Sequence, residues 1–372
     1  MDMSTGQEIE ELALSGVLAI DLAALKRNYR RLASMVYPSL CGAVVKADAY
    51  GLGAAHVAPV LADAGCRTFF VAHLLEARNL KRYLPQDARI VVLNGILPGG
   101  EAYAAAKGIV PVINSLEQLR RWRSASNECG RRLPAVLQFD TGMSRLGMSK
   151  ADARALLADP DLLSSLDIQF IMSHLASADE SVSPQNADQR HEMQAIAAAF
   201  STYPVSFGNS GGIFLGADFH GSLVRPGIAL YGGLPTDAAM NPLEPVVRLS
   251  VRVIQTHTVE AGARVGYGGA QHITAPTRLA TLAAGYADGL PRSLSGRGSA
   301  YFGDRRLPIV GRVSMDSMTI DITSLPEDAL SLGSLVEIIG PHQSLEDVAR
   351  DAGTISYEIL TGLGRRYHRQ YH

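Results

Sequence analysis

The sequence predicts an α/β chain, with an N-terminal (β/α)8 barrel of the TIM type followed by a mostly β domain. Three observations carry this. Short apolar stretches without polar alternation recur through the first two thirds of the chain, the pattern of parallel strands buried on both faces. Amphipathic or alanine-rich stretches of helical length separate them, and about eight such pairs are the signature of a barrel. After Pro245 the rhythm changes: Gly, Pro and Asp turns divide short strands, and no long helical stretch returns until about Ser344. A doubly wound open sheet is the competing layout for the first part.

In chain order, a helix is expected over residues 21–35. Strands are expected near 41–47, 68–73, 89–95, 109–114, 134–140, 167–174, 204–210 and 222–231, with helices over 53–65, 74–83, 115–126 and 185–200 between them. A longer strand over 246–259 opens the second part, and short strands follow near 278–284, 307–313, 317–321 and 335–340. The expected division is a flexible segment 1–16, a barrel 17–243 and a β domain 244–372.

At 372 residues the chain is too long for one small core. A net charge of −2 gives no general attraction to nucleic acid or anionic lipid, so neither is expected as a partner. Arg365, Arg366 and Arg369 form a local basic tail, read as a solvated terminus. Cys41, Cys66 and Cys129 show no metal spacing and fit a reducing compartment; no metal site is expected. Residues 1–11 are acidic, which makes the apolar stretch 14–20 a poor signal peptide, and no window reaches the length of a membrane span. A soluble, cytoplasmic enzyme is expected.

Chemistry on a barrel sits at the carboxyl ends of its strands, and unusual polar residues recur there: Lys46, Asp140, His174, Ser210 and Arg225. Lys46 ends the apolar run from Cys41 to Val45. Partial dehydration penalises its ammonium and yields a neutral amine that an aldehyde can capture. The alternative is a lysine whose amine snorkels into solvent. Phe207 to Gly212, with Asn209 and Ser210 among glycines, follows the seventh strand. The loop Arg225-Pro226-Gly227-Ile228 follows the eighth. Backbone N–H groups there can approach an anion closely, although any βα loop contains such residues. Opposite Lys46, this cradle suggests an aldehyde cofactor carrying a phosphate, and pyridoxal 5′-phosphate fits.

Arg225 ends an apolar strand, where a structural salt bridge is the plain reading. Against a pyridine nitrogen, a permanent cation would keep the ring unprotonated and make the cofactor a weaker electron sink. His174 could hold that arginine, or be a satisfied core histidine. Arg145, in the turn Asp140 to Gly147, suits a substrate carboxylate. Tyr267 lies between Gly266 and Gly268, which permit an exposed phenol; as a base it needs a lowered pKa, which nearby arginines would provide.

The stretch Ala43 to Gly53 resembles the cofactor-lysine signature of bacterial alanine racemases. The resemblance runs from Ile20-Asp21-Leu22 to Tyr357-Glu358 and takes in Asp140 to Gly147, Ser173-His174, Asn209-Ser210, Val224 to Ile228, Gly266 to Gly268, Gly285 to Gly289 and Gly311 to Asp316. It implies a pyridoxal-phosphate racemase that interconverts L- and D-alanine, supplies D-alanine for peptidoglycan, and works as a head-to-tail homodimer with shared active sites. By the resemblance, Lys46 holds the cofactor and is one base, and Tyr267 from the partner subunit is the other. Tyr50, Ser210, Gly227, Ile228 and Tyr357 correspond to phosphate contacts, Asn209 and His174 accompany them, and Arg225 faces the ring nitrogen. Arg145 and Met315 match substrate contacts; Asp316 and Tyr286 match a polar entrance. In many members a carbamylated lysine stands where this chain has Gln138, so Gln138 is expected to steady Arg145 by a hydrogen bond, with or without an anion. A broader racemase acting on serine or lysine, a basic amino-acid decarboxylase and a non-catalytic cofactor carrier are the alternatives. Arg225 argues against the decarboxylase and the second domain against the carrier.

Overall fold

The computed structural model describes residues 15–372. The expected flexible segment 1–16 therefore lies almost wholly outside the described residues. Two compact units are present. One comprises residues 25–230 and 234–243; among the described residues the other comprises 15–24, 231–233 and 244–372. This differs from a division at residue 17. The apolar strand β1 (Gly16–Ile20) pairs antiparallel with β11 (Val247–Val259) and parallel with β19 (His368–Tyr371), so it belongs with the second unit.

The first unit is the expected barrel. β3 (Ala43–Val44), β4 (Thr68–Val71), β5 (Arg89–Val92), β6 (Val110–Ile113), β7 (Leu133–Gln138), β8 (Leu166–Met172) and β9 (Val205–Ser206) form a curled parallel sheet in that order. β4 and β6 are buried along their whole length, as strands covered on both faces must be. β2 (Leu40–Cys41) pairs with β10 (Leu223–Val224). The Gly42 and Val44 N–H groups then donate to the carbonyls of Val224 and Pro226 at 2.9 Å, which joins the last strand to the first. Connecting helices carry their own start signals. Ser115 accepts from the Gln118 N–H at 3.2 Å, and the helix Leu116–Glu128 buries Trp122, whose indole donates to the Pro134 carbonyl.

Most predicted barrel strands are shorter than expected. The stretch 41–47 divides into β2 and β3 and ends at Val44, ahead of Lys46, while 68–73 ends at Val71 and 89–95 at Val92. The last two fall furthest short. The strand 204–210 stops at Ser206, and Ser210–Phe214 is a helical turn. The strand 222–231 stops at Val224, because Pro226 has no N–H to give a ladder, and Ile228–Tyr231 closes as a 3-10 turn.

The second unit is a β domain in which the long β11 pairs with both β14 (Thr277–Leu282) and β18 (Leu335–Ile339). β17 (Met318–Asp321), β16 (Arg305–Val310) and β15 (Ser299–Phe302) complete a ring of antiparallel pairings from β14 round to β18. β12 (Arg264–Val265) and β13 (Gln271–His272) form a separate hairpin. Among the described residues, no helix is long and apolar enough to cross a membrane.

Candidate active site

Lys46 stands just past the end of β3 and begins an unusual turn. Ala47, Asp48 and Ala49 have φ of 53, 54 and 56° with ψ of 47, 50 and 54°, and Tyr50 follows at φ 55°. Four consecutive non-glycine residues in the left-handed region cost about 1–2 kcal/mol each, so the surroundings must impose the turn. Within it, Gly51 N–H donates to the Ala47 carbonyl at 2.7 Å and Gly53 N–H to the Asp48 carbonyl at 2.8 Å. The Asp48 carboxylate accepts from Ala54 N–H at 2.7 Å. The result is a half-buried Lys46 and a buried Tyr50 only four residues later. Burial, and then the charge of Arg145, hold the Lys46 ammonium below the usual lysine range, while Glu76 acts in the opposite sense.

Tyr50 returns into the barrel beside Gly227. A Cβ at Gly227 would stand 2.2 Å from the Tyr50 hydroxyl, so a larger residue there requires that phenol to move. The buried Ser210 hydroxyl accepts from the N–H groups of Gly227 at 2.8 Å and Ala229 at 3.3 Å. Asn209 caps the short turn Ser210–Phe214 by accepting from Gly212 N–H at 2.9 Å, and its amide donates to the Leu175 carbonyl. Buried Ile228 stands beside Gly227 in the same loop. The Tyr50 phenol, the Ser210 hydroxyl and the Gly227 and Ala229 N–H groups that this hydroxyl now holds thus lie in one small region, and groups of this kind suit a phosphate.

Arg225 is 3% exposed, and no carboxylate pairs with it among the described residues. Its Nη1 donates to Ser206 Oγ at 2.6 Å, and its Nη2 donates to the carbonyls of Ser173 at 2.6 Å and Phe207 at 3.3 Å. Burial pushes its pKa down to about 9, which leaves a cation at neutral pH. The expectation that His174 holds Arg225 needs correction, because Ser206 and main-chain carbonyls seat it. His174 is a neutral neighbour: burial, then the charges of Arg225, Arg145 and Lys46, push it down to about 3.

The loop after β7 is built on Asp140, whose Oδ1 accepts from the N–H groups of Gly142, Met143 and Ser144 at 2.9–3.0 Å. It presents Arg145 exposed, next to Ser144 at φ 56°. Gln138 does not bond Arg145 as expected. Its Nε2 donates to the carbonyl of the adjacent Leu146 at 3.1 Å, so it braces the loop rather than the guanidinium.

In the β unit, Tyr267 is 71% exposed and lies in a turn with Gly266 at φ 79° and Gly268 at φ 70°. A Cβ at Gly268 would stand 3.1 Å from Arg312 Nη1. Met315 is exposed, and its carbonyl accepts from Ala287 N–H at 3.0 Å, as the Ser314 carbonyl does from Tyr286 N–H. Tyr357 is on the helix Ser356–Gly362. The solvated-tail reading of the C-terminal arginines fails for Arg366. Its Nε and Nη2 clasp the fully buried Asp288 at 2.7 and 2.9 Å, and its Nη1 holds Asp316 at 2.6 Å. Asp288 also accepts from Gly285 N–H at 2.9 Å, so one ion pair ties together the Tyr286 and Met315–Asp316 loops.

The barrel unit therefore gathers Lys46, Tyr50, Arg145, His174, Asn209, Ser210, Arg225, Gly227 and Ile228, and the β unit carries Tyr267, Met315 and Tyr357. Sequence reasoning gave no role to Ser206, Glu76 or Asp288. Glu76 left a signal as an acidic residue in the first turn of a predicted helix, and Asp288 stands in the Gly285 to Gly289 stretch that carries the resemblance.

Residues 20–235 match the family model for the alanine racemase N-terminal domain, and residues 246–371 match that for the C-terminal domain. A protein of Rhizobium johnstonii named "alanine racemase, catabolic" is 62% identical over 96% of this chain and 95% of its own. One of Agrobacterium fabrum with the same name is 58% identical over 100% of this chain and 96% of its own. Among solved structures, alanine racemase from Bartonella henselae with covalently bound pyridoxal phosphate is 45% identical. It superposes with a TM-score of 0.93 over 96% of this chain and 99% of that one.

Proposed function

The chain belongs to the alanine racemase family, and we propose from that premise that it interconverts L- and D-alanine with pyridoxal 5′-phosphate held at Lys46. The carrying observation is the buried, carboxylate-free Arg225 in the same barrel as a half-buried lysine and a phosphate-shaped cradle. These residues fit the cofactor: Tyr50, Ser210, Gly227 and Ile228 would hold its phosphate, with Asn209 bracing the loop, and Arg225 would face its ring nitrogen. When bound, the cofactor delocalises the electron pair left at Cα after proton loss.

The chain's own residues do the rest. Arg225 is a cation that donates hydrogen bonds and has no lone pair to accept one, so facing the ring nitrogen it would disfavour a protonated ring, keep the delocalisation weak and favour proton return over side reactions. Arg145 binds the substrate carboxylate as a fork, and by the family resemblance Met315 is a further substrate contact. Lys46 Nζ moves the Cα proton on one face. The Tyr267 hydroxyl, contributed by a second copy of the chain, moves it on the other. The exposure of Tyr267 suits that supply across a subunit boundary. Tyr357 joins the phosphate contacts. The three unpaired cysteines support a cytoplasmic home.

Whether the D-alanine made is used for peptidoglycan or L-alanine is made from imported D-alanine is a matter of physiology. The catabolic names of the two bacterial relatives favour the second role. A chromosomal deletion separates them: loss of growth on D-alanine as carbon source supports breakdown, and D-alanine auxotrophy supports supply. For the reaction itself, L-amino acids are incubated in deuterated water and Cα exchange is read together with optical inversion. Alanine must exchange and invert fastest; faster lysine or serine exchange overturns the substrate assignment.

A further inference from the structure

The geometry points to Glu76 as a positioning residue for Lys46, its carboxylate pinning the left-handed turn that sets the lysine against the phosphate cradle. This deepens the reading above and rests on Lys46 being the residue that holds the cofactor. The turn is the short link between Lys46 and Tyr50, and each of its residues is in a backbone region that side chains rarely adopt. Most of its hydrogen bonds are local. Its first amide reaches further: Ala47 N–H donates to Glu76 Oε1 at 2.6 Å, a charge-assisted bond from another element. Glu76 Oε2 meanwhile accepts from Ala72 N–H at 2.8 Å and His73 N–H at 3.0 Å, at the start of the helix Leu74–Leu80. One oxygen serves its own helix and the other reaches across to the lysine turn.

Helix capping alone does not call for this side chain. Asp152 and Asp347 occupy the same third position in two other helices, and each accepts from the N–H of its capping serine, Ser149 or Ser344, at 2.9 and 3.0 Å. Aspartate suffices where only the helix start is held. The extra methylene of glutamate supplies the reach to Ala47.

The carboxylate also acts through its charge. The groups facing Lys46 are Arg145 from the loop after β7, neutral His174 at the end of β8, and Glu76. Glu76 is the one that favours a proton on Nζ, against burial and Arg145. It therefore keeps the amine basic enough to take a Cα proton and hold it.

The test uses the full chain, freed of cofactor with hydroxylamine and titrated with pyridoxal 5′-phosphate. Lys46 Nζ joins the aldehyde carbon with loss of water, and borohydride then fixes the adduct for mass spectrometry. Glu76→Gln, which loses the charge and one acceptor, is expected to shift the pH midpoint of adduct formation to the acid side by about half a unit or more. It is also expected to weaken cofactor retention about tenfold. Glu76→Asp, which keeps the charge and the helix cap but withdraws from Ala47, is expected to weaken retention with little shift of midpoint. If the glutamine variant does not fold, retention in the aspartate variant decides. Wild-type retention in both, or a lowered melting temperature with unchanged midpoint and retention, overturns the positioning role. Absence of any Lys46 adduct in the wild-type protein overturns the functional reading instead.

Discussion

Arg225 is a cation without an anion, and its seat depends on single atoms. Ser206 Oγ accepts from Nη1 and donates to the Leu223 carbonyl at 2.6 Å, so both ends of that hydroxyl are in use. Ser206→Ala is expected to destabilise the cofactor-free protein by about 1.5–3 kcal/mol in chemical denaturation, the range for a hydrogen bond to a charged group. His174 adds a pH dependence of its own. Its pKa is about 3 in the folded chain against an ordinary 6.5, so the unfolded chain binds a proton that the native one refuses. Its contribution is complete above pH 6.5 and is lost as the pH falls towards 3. His174→Gln should therefore flatten the fall of stability between about pH 6 and pH 4 by up to about 1.4 kcal/mol per pH unit. The thiols give a simpler check. Cys41 and Cys66 are buried with their pKa values pushed up, that of Cys66 to about 12, whereas Cys129 is exposed. Iodoacetamide should label only Cys129 in the native protein.

At the scale of elements, the phosphate cradle depends on two pieces of backbone meeting without an intervening side chain. Gly227→Ala would place a methyl 2.2 Å from the Tyr50 hydroxyl and force that ring away. Cofactor affinity, read by absorbance titration, should fall by about tenfold or more. Much at this scale was legible in the sequence. Residues 69–71, 90–92 and 110–113 are apolar without alternation, and their short length between turn signals reads as buried parallel strands. Strand ends were less legible: 222–231 keeps apolar residues past the ladder, because residues that line the cradle are buried too, and 204–210 turns into a short helix at Ser210. The left-handed turn after Lys46 left no signal, since Ala, Asp and Tyr do not prefer that conformation and tertiary bonds impose it. Ser206 was equally silent, as its function is set by an arginine that only the fold brings near.

For the whole molecule, the proposed sharing of sites has a quantitative consequence. Lys46→Ala and Tyr267→Phe should each abolish most turnover. Mixed and allowed to exchange subunits, the two inactive proteins should regain about a quarter of the wild-type activity, since half the dimers are hybrids with one intact site each. No recovery under conditions of proven exchange would mean that both bases come from one chain. The organisation by units was readable for the barrel and only partly for the β unit. The sequence marked the change after Pro245, but it gave no hint that an apolar stretch before the barrel pairs with the far end of the chain. That pairing sets a timetable for synthesis. β1 leaves the ribosome early, yet its partner β11 begins at Val247 and its other neighbour β19 at His368. At typical elongation rates the wait for that last strand is roughly 20 to 70 s. Until β11 emerges the nascent chain carries an apolar segment with no native partner, and its second edge stays open until β19 is made, while the barrel behind it can already condense.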